Sequence, residues 1–208
     1  MIELLIAAAL ASACGAAQAE PPAADRECIP LPEDWRSAAT DEDRERLSDW
    51  RDAWEEGLVQ ARAAGHGAEI AGEGALLDPD GALADVAPPP GDYQCRTIKI
   101  GSPLGLLAYV AYPSFRCRIR IDGDHVDFLK LTGSQRPIGR LYPDTPRRMV
   151  FLGTLQLGDE RRAYQYGIDR ERDLIGALER VGERRWRLVF PYPHFESLVD
   201  VIELVPSN

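Results

Sequence analysis

The chain has 208 residues, of which 45% are hydrophobic and 28% charged, and its formal net charge is −10. This composition is typical of soluble globular proteins, excludes disordered and collagen-like classes, and gives enough chain for one domain with a real core. Residues 1–90 carry six Arg and no Lys against nineteen acidic residues. Because an acidic front half repels phosphate backbones, we expect no nucleic-acid partner.

The N-terminal segment predicts export. The chain is apolar from Ile2 to Ala13 except for Glu3 and Ser12, which is much shorter than the roughly 20 residues of a membrane-spanning helix. Small residues at Ala17 and Ala19 fit a signal-peptidase site, so residues 1–19 are predicted to be a signal peptide. A lipid anchor at Cys14 is the alternative. The mature protein is expected to be periplasmic or secreted, with no transmembrane segment.

Residues 20–90 are predicted to form a helical segment and a connector rich in Pro and Gly. Thr40 is a suitable N-cap, the acidic residues that follow suit a first helical turn, and Asp43 takes the capping-box position. Apolar residues then recur at helical spacing at Leu47, Trp50, Trp54, Leu58 and Ala61. Gly65 ends the pattern. The tryptophan stripe is expected to pack against the rest of the fold.

Residues 91–208 have the pattern of an antiparallel β-domain, with short strand-forming runs separated by turn residues at intervals of about 8 to 12. The predicted strands are 94–100, 106–112, 115–121, 125–132, 137–142, 149–157, 163–168, 174–181, 184–190 and 198–205. Asp122-Gly123 suits a type I′ hairpin turn and Gly182-Glu183 a type II′ turn. Short connections favour an up-and-down β-barrel or barrel-like sheet, lipocalin-like by analogy only, so the fold class is α+β.

Two cysteines in the β-domain are predicted to form a disulfide. Cys117 shares the core side of its strand with Phe115, whereas Cys95 is opposite in phase to Ile98 and Ile100. A bond between Cys95 and Cys117 therefore requires a bulge after Cys95, or a cysteine beyond the regular ladder. We predict the bond because an exported protein meets an oxidising compartment. Cys28 is then left without a partner.

Motifs that would carry catalysis or a metal are absent from the sequence. The three His residues are isolated from one another, and no HExxH or CxxC pair occurs, so neither a catalytic nor a structural zinc site is predicted. No G-x-S-x-G elbow or phosphate-binding Gly-rich loop occurs either. We therefore predict no catalytic residues, no metal and no cofactor, and favour a protein that is not an enzyme.

The strongest candidate for a ligand site lies in the stretch from Lys130 to Tyr142. Lys130 interrupts an apolar strand and is followed by a polar turn with Ser134, Gln135 and Arg136. These four residues could place cations and hydrogen-bond donors at a barrel mouth. The alternative is a lysine that extends its amine to solvent beside an ordinary hairpin turn. Lysine is rare in this chain, since only Lys99 and Lys130 occur, although codon composition would also produce a bias toward Arg.

These observations leave three functional hypotheses. The first is an exported, non-catalytic module that binds a small molecule, lipid or envelope component in the barrel, since barrels of about eight strands can hold one small ligand. The second is a structural or interaction protein with an envelope protein as partner. The third is a hydrolase, which would need His125 or His194 beside an acid and a nucleophile.

Several segments resemble an uncharacterised family of exported bacterial proteins, domain of unknown function 4893. The segments are Asp49-Trp50-Arg51 with Ala53-Trp54, Gly91 to Arg96, Phe115 to Arg118, Leu129 to Arg136, and Val150 to Gly153. The similarity covers nearly all of the expected mature chain. It implies an exported bacterial protein in which Cys95 and Cys117 are paired, and it offers no functional residues.

Overall fold

A computed structural model of the protein describes residues 34–105 and 107–207. The predicted signal peptide, Cys14 and Cys28 lie outside these ranges. The helices are α1 (Trp35–Ala38), α2 (Asp41–Ser48), α3 (Trp50–Ala63) and α4 (Gly67–Glu73), followed by a 3₁₀ turn at Gly74–Leu76. The strands are β1 (Gly91–Ile100), β2 (Tyr109–Asp122), β3 (His125–Lys130), β4 (Gln135–Thr145), β5 (Arg148–Leu157), β6 (Asp173–Gly182), β7 (Arg185–Pro191) and β8 (Val199–Pro206).

The eight strands form a closed antiparallel barrel in chain order, with β8 pairing back onto β1. This confirms the predicted α+β class and up-and-down barrel. The predicted strands 106–112 and 115–121 are not separate elements, because residues of both ranges lie in the single strand β2. The predicted strand at 163–168 is also wrong, because these residues lie in the loop between β5 and β6.

The pairing of β1 with β2 contains a bulge, and this bulge explains how the long strand β2 accommodates Pro113. Arg96 pairs with Ser114 and Ile98 with Ala111, so Tyr112 and Pro113 together oppose the single residue Thr97. Pro113 has no backbone N–H to donate, and a bulge is one of the few places where a strand tolerates this. The predicted disulfide between Cys95 and Cys117 is present. The bulge that the sequence required after Cys95 is wrong, because the extra residue lies in β2 and β1 alternates regularly, with Ile98 and Ile100 packed against α3 on the outside of the barrel.

Both predicted hairpins occur, but their turns begin one residue later than expected. Asp122 pairs with His125, which leaves Gly123 and Asp124 as the loop. Gly123 has a positive φ and Asp124 does not, as in a type II′ turn and not the predicted type I′. In the second hairpin, Gly182 pairs with Arg185 after a bulge. Gly182 has no positive φ, so the predicted type II′ turn is wrong there.

The first long helix begins as predicted, with the Thr40 hydroxyl accepting a hydrogen bond from the Asp43 backbone N–H. Asp43 does not complete a capping box. Its carboxylate instead pairs with Arg46 and accepts from the Tyr166 hydroxyl, and that same hydroxyl accepts the Thr40 backbone N–H. The predicted helix divides into α2 and α3 at Asp49, and Gly65 follows its end with a φ of 98°.

The helices cover one side of the barrel, so several strands are buried on both faces. Trp54 and Leu58 of α3 pack on outward residues of β1, including Ile98 and Ile100. α3 approaches most closely at Gly57, where an added Cβ would lie 3.1 Å from the Ile100 carbonyl oxygen. Trp35 and Leu47, from α1 and α2, pack on outward residues of β4 to β6. None of the helices in the described ranges is both long and apolar enough to span a membrane.

The barrel interior is filled by side chains. Phe128, Phe151 and Phe190 meet edge to face, with ring centroids 6.0 and 5.4 Å apart, and buried Leu, Ile and Met residues surround them. The connector closes one end, where the Trp186 indole N–H donates to the Val86 carbonyl at 2.8 Å. Space for a ligand is therefore to be sought at the other end.

Candidate functional site

The end of the barrel opposite the connector carries two adjoining cavities. We call the larger one, of about 160 Å³, the barrel-mouth cavity. It is lined by Thr97, Lys99, Tyr112, Phe115, Lys130, Ser134, Gln135 and Glu196. A smaller cavity of about 30 Å³ continues inward along apolar residues and shares Thr97, Lys99, Lys130 and Gln135 with the larger one. Ser134 and Glu196 are exposed, so the barrel-mouth cavity meets solvent on their side.

Lys99 is held by two carboxylates on β8 and on the loop before it. Its Nζ lies 3.3 Å from Asp200 Oδ2 and 3.1 Å from Glu196 Oε2, and Asp200 is its direct cross-strand neighbour. Burial acts to lower the pKa of Lys99, but the two carboxylates outweigh it and raise the pKa above the ordinary value. Burial also raises the pKa of Asp200, against the attraction of Lys99. Lys99 is therefore a fixed cation in an ion-pair network.

The loop between β7 and β8 adopts strained backbone to complete this network. Tyr192 and Glu196 have positive φ values of 43° and 72°, which are uncommon for residues other than glycine. The loop is held closed by a 2.8 Å hydrogen bond from the Tyr192 backbone N–H to the Leu198 carbonyl. The Ser197 hydroxyl donates to Asp200. Strained backbone persists only where the surrounding structure stabilises it. It is found most often at functional sites.

Lys130 is buried at the same cavity but has no carboxylate partner among the described residues. Its Nζ donates to the Gln135 carbonyl at 3.0 Å and lies 4.1 Å from the centroid of the Phe115 ring. Burial lowers the pKa of Lys130 to about 8; Asp200 opposes this shift, while Lys99 and Arg136 add to it. An ammonium group that loses its proton this easily can act as a neutral amine near physiological pH.

The Thr97 hydroxyl, which belongs to the lining of the same cavity, also lacks a partner among the described residues. Thr97 lies on β1 between Cys95 and Lys99, directed into the barrel at the bulge. Its Oγ1 is buried and has no hydrogen-bond partner within the described residues. Buried hydroxyls without a partner are uncommon, and each calls for an explanation. A ligand in the barrel-mouth cavity would supply the missing partner.

The structure brings three of the four predicted ligand residues to this cavity. Lys130, Ser134 and Gln135 line it. Arg136 does not line it, because its guanidinium donates to the carbonyl oxygens of Gly133 at 3.0 Å and Leu157 at 2.8 Å, and also to those of Gly158 and Glu160. Arg136 thus joins the β3–β4 turn to the loop after β5.

Sequence reasoning missed Thr97, Lys99, Glu196 and Asp200. Alternation along β1 puts Cys95, Thr97 and Lys99 on one face and Ile98 and Ile100 on the other, and the isoleucines are the residues that look like core. In the structure those isoleucines face α3, while Cys95, Thr97 and Lys99 face the barrel interior. The rarity of lysine was the signal that could have joined Lys99 to Lys130.

The histidines and acidic residues form no second centre in the part of the chain that the structure describes. His66 lies 3.1 Å from Glu69 and stacks on Tyr109 near α4. His125 begins β3 at the connector end of the barrel, and His194 is exposed. No group of three His, Cys, Asp or Glu side chains is placed to hold a metal ion within residues 34–105 and 107–207.

Comparison with known proteins gives one match. A family model described as "Domain of unknown function (DUF4893)" matches residues 35–204. No curated protein and no solved structure matches the chain.

Proposed function

The chain belongs to the DUF4893 family, whose description names no activity, and from the contacts of the barrel-mouth cavity we propose that it is a non-catalytic module that binds a small polar molecule there. The observation that carries the proposal is the buried amine of Lys130, which lines a solvent-connected cavity and has no carboxylate partner among the described residues. Ser134 and Gln135 add further hydrogen-bonding groups, and the unpartnered Thr97 hydroxyl supports the same conclusion.

The dimensions of the cavity restrict the ligand of this proposal. An engineered apolar cavity of about 150 Å³ holds benzene, so about 160 Å³ suits a molecule of similar size. The phenylalanine-filled interior leaves no space for an acyl chain along the barrel axis among the described residues. Of the ligands named in the first hypothesis, we therefore propose a small molecule.

The energetics of Lys130 support a role beyond folding. Moving an ammonium group into a site with one carbonyl acceptor and one aromatic ring is unfavourable unless the charge is fully paired. A pKa of about 8 instead of 10.5 corresponds to a destabilisation of about 3 kcal/mol in the charged form. A methionine would fill the same volume without this cost, so the amine is better explained by binding than by packing.

Replacing Lys130 with Met is expected to abolish ligand binding and to stabilise the fold. Binding is measured by ¹H–¹⁵N chemical-shift titration with a set of small polar fragments, and we expect shifts at Thr97, Lys99 and Gln135 in the parent protein only. Arg118→Met is the matched control, since Arg118 is an exposed cation on the outer face of β2. Unchanged binding by the Lys130→Met protein would remove Lys130 from the site.

The effect of Lys130→Met on the free energy of unfolding is expected to depend on pH. The folded pKa of Lys130 is lowered, so the unfolded state binds the proton more tightly, and the destabilisation is full below pH 8 and fades toward pH 10.5. Urea unfolding should show Lys130→Met to be more stable by about 1–3 kcal/mol at pH 7, with a smaller difference at pH 9.5. Titratable groups elsewhere in the chain contribute to the stability of both proteins, so their contributions cancel in this difference. A difference that is constant with pH would contradict the shifted pKa.

A protein–protein interaction role is the second candidate, because a filled barrel is what an interaction protein would show. An open groove of about 540 Å³ on the outside of β3 to β5 combines apolar residues, such as Leu129 and Ile138, with Arg120 and Asp127. Recovery of one stoichiometric envelope protein with the tagged chain, together with no fragment binding at the barrel mouth, would favour this candidate.

No observation on the described residues supports the hydrolase hypothesis. His125 lies at the barrel end opposite the cavity, and neither His125 nor His194 makes a hydrogen bond or ion pair with an acid within the described residues.

Export to the periplasm or beyond stays part of the proposal. It is supported by the disulfide between Cys95 and Cys117, since disulfides persist mainly in oxidising compartments.

A further inference from the structure

The two lysines of the chain share one cavity, although the chain otherwise uses arginine for its cations. Of 24 basic Lys and Arg residues, only Lys99 and Lys130 are lysines, and both line the barrel-mouth cavity, 3% and 5% exposed. Arginine forms the surface ion pairs elsewhere, as Arg118 and Arg120 do with Asp92 and Asp127. Arginine cannot be deprotonated in proteins, whereas lysine can. This cavity therefore contains both lysine side chains of the chain, the cationic groups that can also act as amine nucleophiles when they lose a proton.

The two lysines are not equivalent in their surroundings. Lys99 is held by Asp200 and Glu196, which keep it charged. Lys130 donates a hydrogen bond to the Gln135 carbonyl oxygen, and its amine lies over the Phe115 ring beside the cavity. A lysine desolvated in a partly apolar pocket next to another cation is the arrangement that activates amines toward carbonyl compounds.

We propose that Lys130 captures a small, neutral aldehyde or ketone as a reversible imine in the barrel-mouth cavity. This inference rests on the proposed function and names the chemical class of its ligand. The neutral amine attacks the carbonyl carbon, a C–N bond forms, and one proton moves from the nitrogen to the former carbonyl oxygen to give a neutral carbinolamine. The hydroxyl oxygen then takes up a second proton from solvent, the C–O bond breaks and water leaves, which yields a protonated imine. Addition of water reverses each step, so no oxidant or reductant is required.

The charges around the cavity favour a neutral carbonyl compound over an oxo acid. The ammonium of Lys99 is already matched by two carboxylates, so it offers no free positive charge to an anionic ligand. The same carboxylates, Asp200 and Glu196, would stabilise the positive charge of the protonated imine. Thr97, Ser134 and Gln135 provide hydrogen-bonding groups that suit a hydroxylated carbonyl compound.

The experiment is reductive trapping of the full chain with glycolaldehyde and cyanoborohydride, followed by peptide mapping. We expect one saturable adduct, on Lys130, that forms at least about tenfold faster than any adduct on Lys99, since at pH 7 the neutral fraction of the Lys130 amine is far larger. Its formation should saturate with glycolaldehyde concentration. Modification of the chain's α-amino group should instead rise linearly, because it requires no binding site.

Lys130→Arg is the control variant, because it keeps the cation and removes the nucleophilic amine. Its α-amino group should react as in the parent protein, and no saturable adduct should form. Glyoxylate in place of glycolaldehyde should give a slower saturable reaction. Equal labelling of Lys99 and Lys130, or no adduct on Lys130, overturns the imine. If fragments still shift the cavity amides in that case, the binding proposal stands without it; if they do not, both fail.

Discussion

Replacing Arg187 with Met is expected to lower the free energy of unfolding by about 3–5 kcal/mol, the usual effect of removing one partner of a buried ion pair. Arg187 is fully buried on the outer face of β7, and its guanidinium lies 2.6 Å from the buried carboxylate of Glu179. Burial lowers the pKa of Arg187 against the attraction of Glu179. Without Arg187, the Glu179 carboxylate is left buried and unpaired. Urea unfolding measures the loss.

Arg187 also holds the connector onto the barrel, which gives the variant a second consequence. Its guanidinium donates to the carbonyl oxygens of Ala75 at 2.9 Å and Leu76 at 3.1 Å, and it lies 4.6 Å from the Trp54 ring. We expect faster amide exchange in residues 74–80 of the Arg187→Met protein.

Two variants separate the effects of Arg187. Adding Glu179→Leu should recover part of the lost stability, because no unpaired charge is then buried, but it should not restore the connector's protection. Arg118→Met removes an exposed ion pair with Asp92 and should leave the stability nearly unchanged, because solvent screens such a pair. An equally small loss in Arg187→Met would show that the buried pair does not hold the fold together.

Replacing both Cys95 and Cys117 with Ala is expected to lower the free energy of unfolding by about 3 kcal/mol. The bond closes a loop with a sequence separation of 22, and a loop of this size restricts the unfolded chain by roughly that free energy in the chain-entropy model. Thermal or urea unfolding without reductant measures the difference.

Reductant provides the internal control for the disulfide. Dithiothreitol should destabilise the parent protein toward the level of the double-Ala variant, and it should leave that variant unchanged. Destabilisation of the double-Ala variant by dithiothreitol, or equal stability of the two proteins without it, would contradict the assigned role of the bond.

Much of the barrel was predictable because its short strands and turns leave a local signature. The sequence indicated the antiparallel strands, both hairpins and the Thr40 N-cap. The length of β2 was not predictable in this way, because Pro113 normally interrupts a strand and is tolerated here only by pairing across a bulge. The register around that bulge depends on the pairing with β1, which the residues of β2 alone do not specify.

The candidate site was only half predictable, for a related physical reason. Lys130, Ser134 and Gln135 follow one another along the chain, so a local reading finds them together. Lys99 lies on a strand that is buried on both faces, where alternation no longer distinguishes inside from outside. The helical layer that buries Ile98 thus concealed the inward direction of Lys99.

The fold keeps Lys130 as a readily deprotonated amine at the barrel mouth, and an NMR titration of the lysine side chains is the most direct test of this. With two lysines in the chain, two ε-signals are expected, and Lys130→Arg assigns them. One signal, from Lys130, should titrate near pH 8, while that of Lys99 should titrate above 10.5. Titration of both signals at or above 10.5 would contradict the claim.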